Sequence, residues 1–310
     1  MPNFPPIDLR SLRYYAIASR RSLASPPGAQ EAPPPPGAMP ARTLSGIERL
    51  AGWIREAASA GRPVVWGLGP HVLKTGLGAL ISDLVARGLV NALVANGAFA
   101  VHDLELAMTG STSEDVAEAL PKGEFGFAAE TSREYLAAAA EARRSGRGLG
   151  ECLGERIARS GWKGAGGSVL AACASGGVRA SILVSIGCDI VHMHPGADGA
   201  DLGASSLHDF RCFASAVHSL GAKQPGGPGG VYINCGSAVV LPEAFLKAVS
   251  IAINLGADLS GARKCVIDMM EHYRPSRNVL ERPPGESLFI KARHEVVLPA
   301  LHRRLTGGVR

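Results

Sequence analysis

Histidines and carboxylates that could carry acid–base chemistry follow four apolar runs in the middle of this chain. The runs lie near residues 64–67, 92–95, 180–185 and 230–234 and consist mainly of Val, Ile, Leu and Ala. The residues that follow them are His71 and Lys74, His102 and Asp103, Asp189, His192 and His194, and Ser237. Because ligands of an open parallel sheet bind outside the carboxyl ends of its strands, this pattern predicts one shared crevice.

The densest of these groups runs from Asp189 to Asp198. His192 and His194 are of a type that binds zinc or another divalent cation, and on an extended segment both side chains point the same way. Acid–base work on a bound small molecule is the second interpretation, and histidines satisfied inside the fold are the third. We take Asp189, His192 and His194 as catalytic candidates, and His192, His194 and Asp198 only as a metal alternative.

The turn Gly67-Leu68-Gly69-Pro70-His71 has two glycines of a dinucleotide-binding turn and lacks the third glycine of GxGxxG. A tight strand-to-helix turn presents backbone N–H groups to an anion. Lys74 would stand in the first turn of the following helix, where the helix dipole disfavours a cation. An anionic ligand, or a lowered pKa suited to amine chemistry, would explain Lys74, and a solvated lysine is the alternative.

The segment Asn96-Gly97-Ala98 leads into His102 and Asp103. A carboxylate beside an imidazole orients the ring and holds one tautomer, which predicts His102 and Asp103 as one acid–base group. Adjacent residues on a helix do not face each other. Helix capping is therefore the alternative role for Asp103.

From residue 43 onward, strand-like runs alternate with stretches of helical periodicity. Apolar residues recur at helical spacing over 45–60 and 72–87, and a fifth strand is predicted over 264–268. Strands that alternate with helices of this length predict βαβ units and right-handed crossovers. We therefore expect one doubly wound α/β domain over 43–310 with a mostly parallel sheet.

Residues 1–42 precede this domain and are predicted to form a Pro-rich N-terminal arm. The prolines at 26, 27, 33–36 and 40 favour extended polyproline geometry and cannot donate ladder hydrogen bonds. We expect residues 20–42 to make few contacts within their own subunit.

Composition argues against two classes of partner. The 310 residues carry a net charge of +5, but the excess arginines lie at the two ends and aromatic residues make up only 5%, so we expect no nucleic-acid partner.

No stretch reaches the ~18 consecutive apolar residues of a membrane helix, and the start lacks the features of a signal peptide. Six cysteines without a CxxC pair are typical of buried, reduced thiols, so we expect a cytoplasmic protein without a membrane partner.

In the order and spacing of these elements, residues 45–305 resemble deoxyhypusine synthase, an NAD-dependent enzyme of doubly wound, Rossmann-type fold that acts on spermidine. The likeness rests on the segments 64–76, 93–103, 167–186, 230–237 and 265–269. It implies NAD as cofactor, a small amine or amino-acid-like substrate, and a homotetramer with sites at subunit interfaces. The residues at matching cofactor positions are Gly67, Gly69, Asn96, Gly97, Asp189, Ser237 and Asp268.

The resemblance fails at the residues which that family uses for aminobutyl transfer. The turn 234–240 has no histidine, and the loop 274–285 has neither the family's lysine nor its tryptophan. We therefore expect an enzyme of this fold that is not a true deoxyhypusine synthase. Two alternatives stay open, a metal-dependent hydrolase or lyase centred on His192 and His194, and a non-catalytic ligand-binding paralogue.

Overall fold

The structure, a computed structural model, describes residues 4–25, 39–224 and 226–307. Its strands are β1 Ser22–Ala24, β2 Val64–Leu68, β3 Ala92–Asn96, β4 Thr112–Glu114, β5 Arg179–Leu183, β6 Val231–Cys235, β7 Arg263–Asp268 and β8 Glu286–Lys291. Its α-helices are α1 Ala41–Ser59, α2 His71–Lys74, α3 Gly78–Ala86, α4 Gly97–Thr109, α5 Val116–Ala119, α6 Ala129–Ser145, α7 Leu149–Arg159, α8 Val169–Ser175, α9 Gly199–His218, α10 Val240–Asn254 and α11 His294–Thr306.

Six strands form one parallel sheet in the order β5-β3-β2-β6-β7-β8. Counted along the chain, this is the order 3-2-1-4-5-6 of dinucleotide-binding folds, and the order reverses between β2 and β6. At the carboxyl end of this central pair, Leu68 stands opposite Cys235. The predicted doubly wound α/β fold is confirmed.

Helices cover both faces of the sheet, so the central strands are buried throughout. Val64, Trp66 and Leu68 of β2 pack in one cluster with α1, α3, α4 and α11, whereas Val65 packs with α9 and α10 on the other face. This alternation follows from the two-residue period of a strand. Each fully buried aliphatic side chain contributes about 1.5–3 kcal/mol, and burial on both faces explains why the strands have near-continuous apolar sequences.

The N-terminal segment docks on this domain through a second, two-stranded sheet. Strand β1 pairs antiparallel with β4, and Tyr15 forms a bridge to Ala128. Arg20 pairs with Glu105 at 2.7 Å, with both side chains buried. The expectation of few contacts is therefore wrong for residues 20–24, because β1 finds a partner edge at β4. The prolines at 26–36 lie outside the described residues.

The segments that follow β2, β3, β5, β6, β7 and β8 meet at one edge because these strands are parallel. This edge holds the sequence-predicted residues described below. In the part of the chain that the structure describes, no helix is long and apolar enough to span a bilayer.

Candidate functional site

A cavity of about 250 Å³ lies between α4 and the loop that follows β5, with the end of α2 at its side. It brings together three of the predicted residues, Lys74, His102 and Asp189. Its other polar and apolar walls are Arg20, Glu105, Ser113, Glu114, Cys188, Ala98, Val101, Val116, Phe125 and Ile190. The cavity thus combines a cation, an imidazole and a carboxylate with an apolar lining, which suits a small polar ligand.

A chain of hydrogen bonds fixes the tautomer of His102. Thr112 Oγ1 donates to Glu105 Oε2 at 2.6 Å, because the carboxylate can only accept. His102 Nδ1 lies 2.6 Å from the same Thr112 oxygen and must therefore donate to it. The lone pair is left on Nε2. Burial, with a further contribution from the Lys74 charge, lowers the pKa of His102 to about 4, so the ring is neutral at pH 7.

The Glu105 carboxylate at the base of this chain is held by the N-terminal segment. Arg20 donates from both terminal nitrogens to the two Glu105 oxygens at 2.7 Å each, and Thr131 Oγ1 donates at 3.1 Å. Arg20 and Glu105 were not predicted as site residues. They are 85 residues apart, and no local spacing in the sequence connects them.

Asp189 and Gly97, both predicted, lie against each other at the carboxyl end of β3. A Cβ at position 97 would stand 2.1 Å from Asp189 Oδ2, so only glycine leaves room for the carboxylate. Asp189 accepts from Ser185 N at 3.2 Å, and burial raises the pKa of Asp189. Asn96 caps α4 through Phe99 N at 3.0 Å, which sets the turn that carries Gly97.

Asp103 has a different role from the predicted one. Its carboxylate accepts from Ser168 Oγ at 2.6 Å and from the Val169 and Leu170 amides at 3.0 Å each. It therefore caps the first turn of α8 and does not pair with His102. The reason is helical geometry, since neighbouring residues on α4 point to different sides.

The turns after β2 and β6 meet through their backbones at the switch in strand order. A Cβ on Gly69 would lie 1.9 Å from the Gly236 carbonyl oxygen, and Gly69 N donates to Cys235 O at 2.8 Å. Ser237, which follows, is buried and its Oγ accepts from Leu241 N at 3.3 Å. Gly236 has φ +71°, a conformation that favours glycine.

Two other predicted cofactor residues lie nearby. Gly67 stands within β2, where a Cβ would come within 2.7 Å of the Tyr232 hydroxyl oxygen. Close packing on Tyr232 thus explains glycine at this position. Asp268 ends β7, is largely buried, and accepts from Met270 N at 3.2 Å.

His71 meets a histidine that sequence reasoning missed. Its ring centroid lies 5.5 Å from that of His294, the first residue of α11. His294 is buried, and burial lowers its pKa. Glu295 lies beside this pair. The sequence does contain a signal for His294. A strand ends and a helix begins near residue 292, and the predicted residues were chosen because they follow strands in the same way.

The segment from Asp189 to Asp198 lacks the extended backbone on which the metal alternative for His192 and His194 depends. Residues 190–193 form a 3₁₀ turn, so His192 and His194 do not alternate along an extended segment. His192 Nδ1 accepts from Gly187 N at 3.2 Å, and His194 Nδ1 accepts from Gly196 N at 3.0 Å. Asp198 caps α9 through Ala200 N at 2.6 Å. Nε2 of His192 is buried without a hydrogen-bond partner in the described structure. Among the described residues, no metal-binding group gathers around His192, His194 and Asp198.

Comparison with known proteins gives a sequence match over one third of the chain. Residues 48–150 match the family model for the Rossmann-fold C-terminal domain of arginine dihydrolase ArgZ-like proteins. A 66-residue stretch is 41% identical to the bifunctional arginine dihydrolase/ornithine cyclodeaminase AgrE of Nostoc sp. PCC 7120 and 38% identical to ArgZ of Synechocystis sp. PCC 6803. That stretch covers 21% of this chain and 9% of each relative.

Solved structures extend the similarity of fold to most of the chain. The ternary complex of AgrE with ornithine and NAD⁺ aligns over 87% of this chain and 34% of AgrE, with a TM-score of 0.58 and 18% identity. A putative LOR/SDH protein from Methanococcus maripaludis S2 aligns over 90% of this chain and 73% of its own, with a TM-score of 0.53 and 17% identity. The chain spans about a third of AgrE. These matches define a Rossmann-type domain related in fold to the ArgZ-like proteins, and the likeness to deoxyhypusine synthase stays a resemblance.

Proposed function

We propose that this chain belongs to an NAD-dependent enzyme that acts on a small amino-acid-like substrate. The observation that carries the proposal is the cavity that gathers Lys74, His102 and Asp189 at the carboxyl edge of a sheet with dinucleotide-type strand order. The AgrE structure, which shares the fold over 87% of this chain, contains ornithine and NAD⁺. That pair of ligands suggests the chemistry to test here.

The residues at the switch between β2 and β6 fit a dinucleotide. Gly69 lets the two turns pack backbone to backbone at Gly236, and dinucleotide folds bind the pyrophosphate at such a switch in strand order. Gly69 N already donates to Cys235 O, so the Ser237 hydroxyl would be the phosphate donor of these turns, and Asp268 lies at the same edge. When bound, NAD supplies a hydride acceptor.

Asp189 has a place that suits the cofactor ribose. Dinucleotide folds use an acidic residue near the end of the second strand of the unit to bind ribose hydroxyls. Here the carboxylate of Asp189 reaches that position from the loop after β5, and Gly97 leaves room for it. Burial raises the pKa of Asp189, and two ribose hydroxyl donors would stabilise its ionised form.

Lys74 and His102 are then available to the substrate. Lys74 is exposed and lines the cavity, and its ammonium has no ion-pair partner within the described residues, so it would bind a substrate carboxylate. The bare Nε2 of His102 would take a proton from the substrate ammonium group. Because the Lys74 charge lowers the pKa of His102, a carboxylate bound at Lys74 would raise that pKa and make His102 a stronger base once substrate is in place.

Calorimetry on the purified chain tests these assignments with a matched set of ligands. Ornithine carries both groups, putrescine lacks the carboxylate, and 5-aminovalerate lacks the α-amine. We expect NAD binding, and in its presence we expect ornithine to bind at least about tenfold more tightly than putrescine, which is about 1.4 kcal/mol. Lys74→Met should remove that difference, whereas Lys247→Met, an exposed control, should keep it.

Two further variants separate the cofactor from the substrate. Asp189→Asn should weaken NAD binding, and a loss confined to ornithine binding would reassign Asp189 to the substrate amine. His102→Gln should lower kcat with ornithine more than it changes NAD affinity. Failure to bind NAD at millimolar concentration would overturn the proposal, and binding of both ligands without product would establish a non-catalytic paralogue.

We also propose, from the resemblance to deoxyhypusine synthase, that the protein works as a cytoplasmic homotetramer. Transfer of an aminobutyl group is not part of the proposal, because the loop 274–285 contains no lysine.

A further inference from the structure

His71, His294 and Glu295 form a compact group at the carboxyl edge of the sheet. One nitrogen of each histidine and one carboxylate oxygen of Glu295 lie within 4.8 Å of one another. His71 begins α2, after β2, while His294 and Glu295 begin α11, after β8. The group stands against the β6 turn, since a Cβ on Gly236 would lie 3.1 Å from His294 Cε1.

Two atoms of this group are buried without a hydrogen-bond partner. His294 is 1% exposed, and its Nε2 lies 3.2 Å from the Ile267 carbonyl oxygen. Because a carbonyl only accepts, Nε2 carries the hydrogen and Nδ1 keeps a lone pair, and Nδ1 has no partner in the described structure. Glu295 Oε1 accepts from Arg293 at 2.8 Å, whereas Oε2 is buried and unpartnered there.

Buried lone pairs without a donor are costly, and such atoms in a folded protein call for a bound ion or water. Both belong to residues whose ligand groups lie within 4.8 Å of each other and of the His71 imidazole. A metal-ligating histidine ordinarily donates its other ring N–H to a carbonyl or carboxylate, and Ile267 O accepts from His294 in that way.

We propose that His71, His294 and Glu295 bind one divalent cation of the zinc class. Two imidazoles and one carboxylate are a known catalytic zinc set, with a fourth position left for water or a substrate oxygen. With metal–ligand bonds of about 2.0–2.2 Å, ligand atoms in a tetrahedral site stand about 3.3–3.6 Å apart. His71 and Glu295 are only half-buried, so rotation of their side chains can close the remaining distance.

Cobalt titration of the chelator-treated 310-residue chain tests the proposal without NAD or substrate. Its outcome is therefore separate from that of the proposed function. We expect one Co²⁺ per chain with the visible absorption of a four-coordinate site, and displacement of Co²⁺ by one equivalent of Zn²⁺. The His71→Gln and His294→Gln variants should each weaken Co²⁺ binding by at least about tenfold.

His302→Gln is the matched control, because His302 lies two turns further along α11 and pairs with Asp83. It should leave Co²⁺ affinity unchanged. Circular dichroism shows whether each variant folds, and the half-buried His71 keeps the test available if His294→Gln does not. Absence of stoichiometric Co²⁺ binding, or unchanged affinity in folded His71→Gln, would overturn the site and leave the group as an imidazole pair without metal.

Discussion

At the scale of single residues, Asp209 couples protonation to folding. It lies on α9, fully buried, and its Oδ2 accepts from the Gly150 and Ile182 amides at 2.9 and 2.8 Å. Its Oδ1 has no partner among the described residues, and burial raises the pKa of Asp209 to about 7.

Because the pKa of Asp209 is higher in the folded chain than its ordinary value of 3.8, the folded state holds more protons between about pH 4 and 7. The contribution of Asp209 to stability is therefore present below pH 4 and is lost as the pH rises through 7. One pKa unit corresponds to about 1.4 kcal/mol. We expect Asp209→Asn to gain stability relative to wild type across this window, measured by denaturant unfolding at a series of pH values.

The exposed Asp258→Asn variant serves as the control for Asp209→Asn. Hydrogen bonds from Ser260 lower the pKa of Asp258, so Asp258 is ionised throughout the window from about pH 4 to 7 and the profile of Asp258→Asn should run parallel to that of wild type there. Parallel pH profiles for wild type and Asp209→Asn would show that Asp209 does not titrate with a raised pKa.

Four histidines show which site residues could be predicted from the sequence and which could not. His71 and His102 were predicted from their positions after strands, and both lie in polar groups at the carboxyl edge. His192 and His194 were predicted on the same basis but lie in and after a 3₁₀ turn, where the Nδ1 atom of each accepts from a local backbone amide, and Nε2 of His192 is buried without a partner in the described structure. Strand ends in a sequence locate an edge of the sheet, whereas the conformation of the loop decides which side chains enter the cavity.

At the scale of elements, the N-terminal segment stabilises the domain by a buried ion pair. The side chains of Arg20 and Glu105 are 3% and 1% exposed. Removal of one partner of a buried pair leaves an uncompensated charge and costs about 3–5 kcal/mol. We therefore expect Arg20→Met to lower the free energy of unfolding by that amount, with most of it regained in the Arg20→Met/Glu105→Gln double variant.

Arg21→Met is the neighbouring control, because Arg21 is 68% exposed and its pair with Glu118 is a surface pair. Such pairs contribute about 0–1 kcal/mol. Equal effects of Arg20→Met and Arg21→Met on urea unfolding would contradict the structural role of the arm.

The loop 274–285 bears on whether this protein can transfer an aminobutyl group through a lysine imine. Residues 275–281 form a π-helix, and Asn278 Nδ2 donates to Glu243 Oε1 at 2.9 Å. The amine that contacts the end of this loop is Lys264 Nζ, which is buried and donates to Pro284 O at 2.8 Å. A lysine engaged in this way is not free to form an imine.

We therefore expect no transfer of an aminobutyl group from radiolabelled spermidine to an acceptor protein in the presence of NAD. The measurement is label on the acceptor, with borohydride added to trap any imine on the enzyme. Label trapped on Lys74 would show that this residue, on the other side of the crevice, supplies the amine.

The elements of the sheet were predictable because each is a local pattern. Strands 64–67, 92–95, 230–234 and 264–268 differ from the observed ones by one residue or less at either end. Strand β1 was not predicted, since its partner β4 lies about 90 residues away and neither strand is apolar. The reversal of strand order between β2 and β6 is likewise a property of tertiary packing that no local period contains.

At the scale of the whole molecule, exposed apolar side chains cluster after β6 and β7. Val239, Met270 and Tyr273 are 49%, 59% and 66% exposed. They follow the carboxyl ends of adjacent strands, at the edge where the candidate site lies. Large apolar side chains that stay exposed at one edge of a fold are candidates for a protein interface, and the resemblance to deoxyhypusine synthase implies a tetramer with sites between subunits.

We therefore expect size-exclusion chromatography with light scattering to give four times the chain mass of 32.1 kDa. Tyr273→Glu and Met270→Glu should shift the protein toward smaller species, because a charge buried at an interface without a partner costs several kcal/mol. Leu207→Glu changes an equally exposed leucine on α9 and should leave the mass unchanged. A monomer at micromolar concentration, or a tetramer indifferent to Tyr273→Glu and Met270→Glu, would show that this surface is not where the subunits meet.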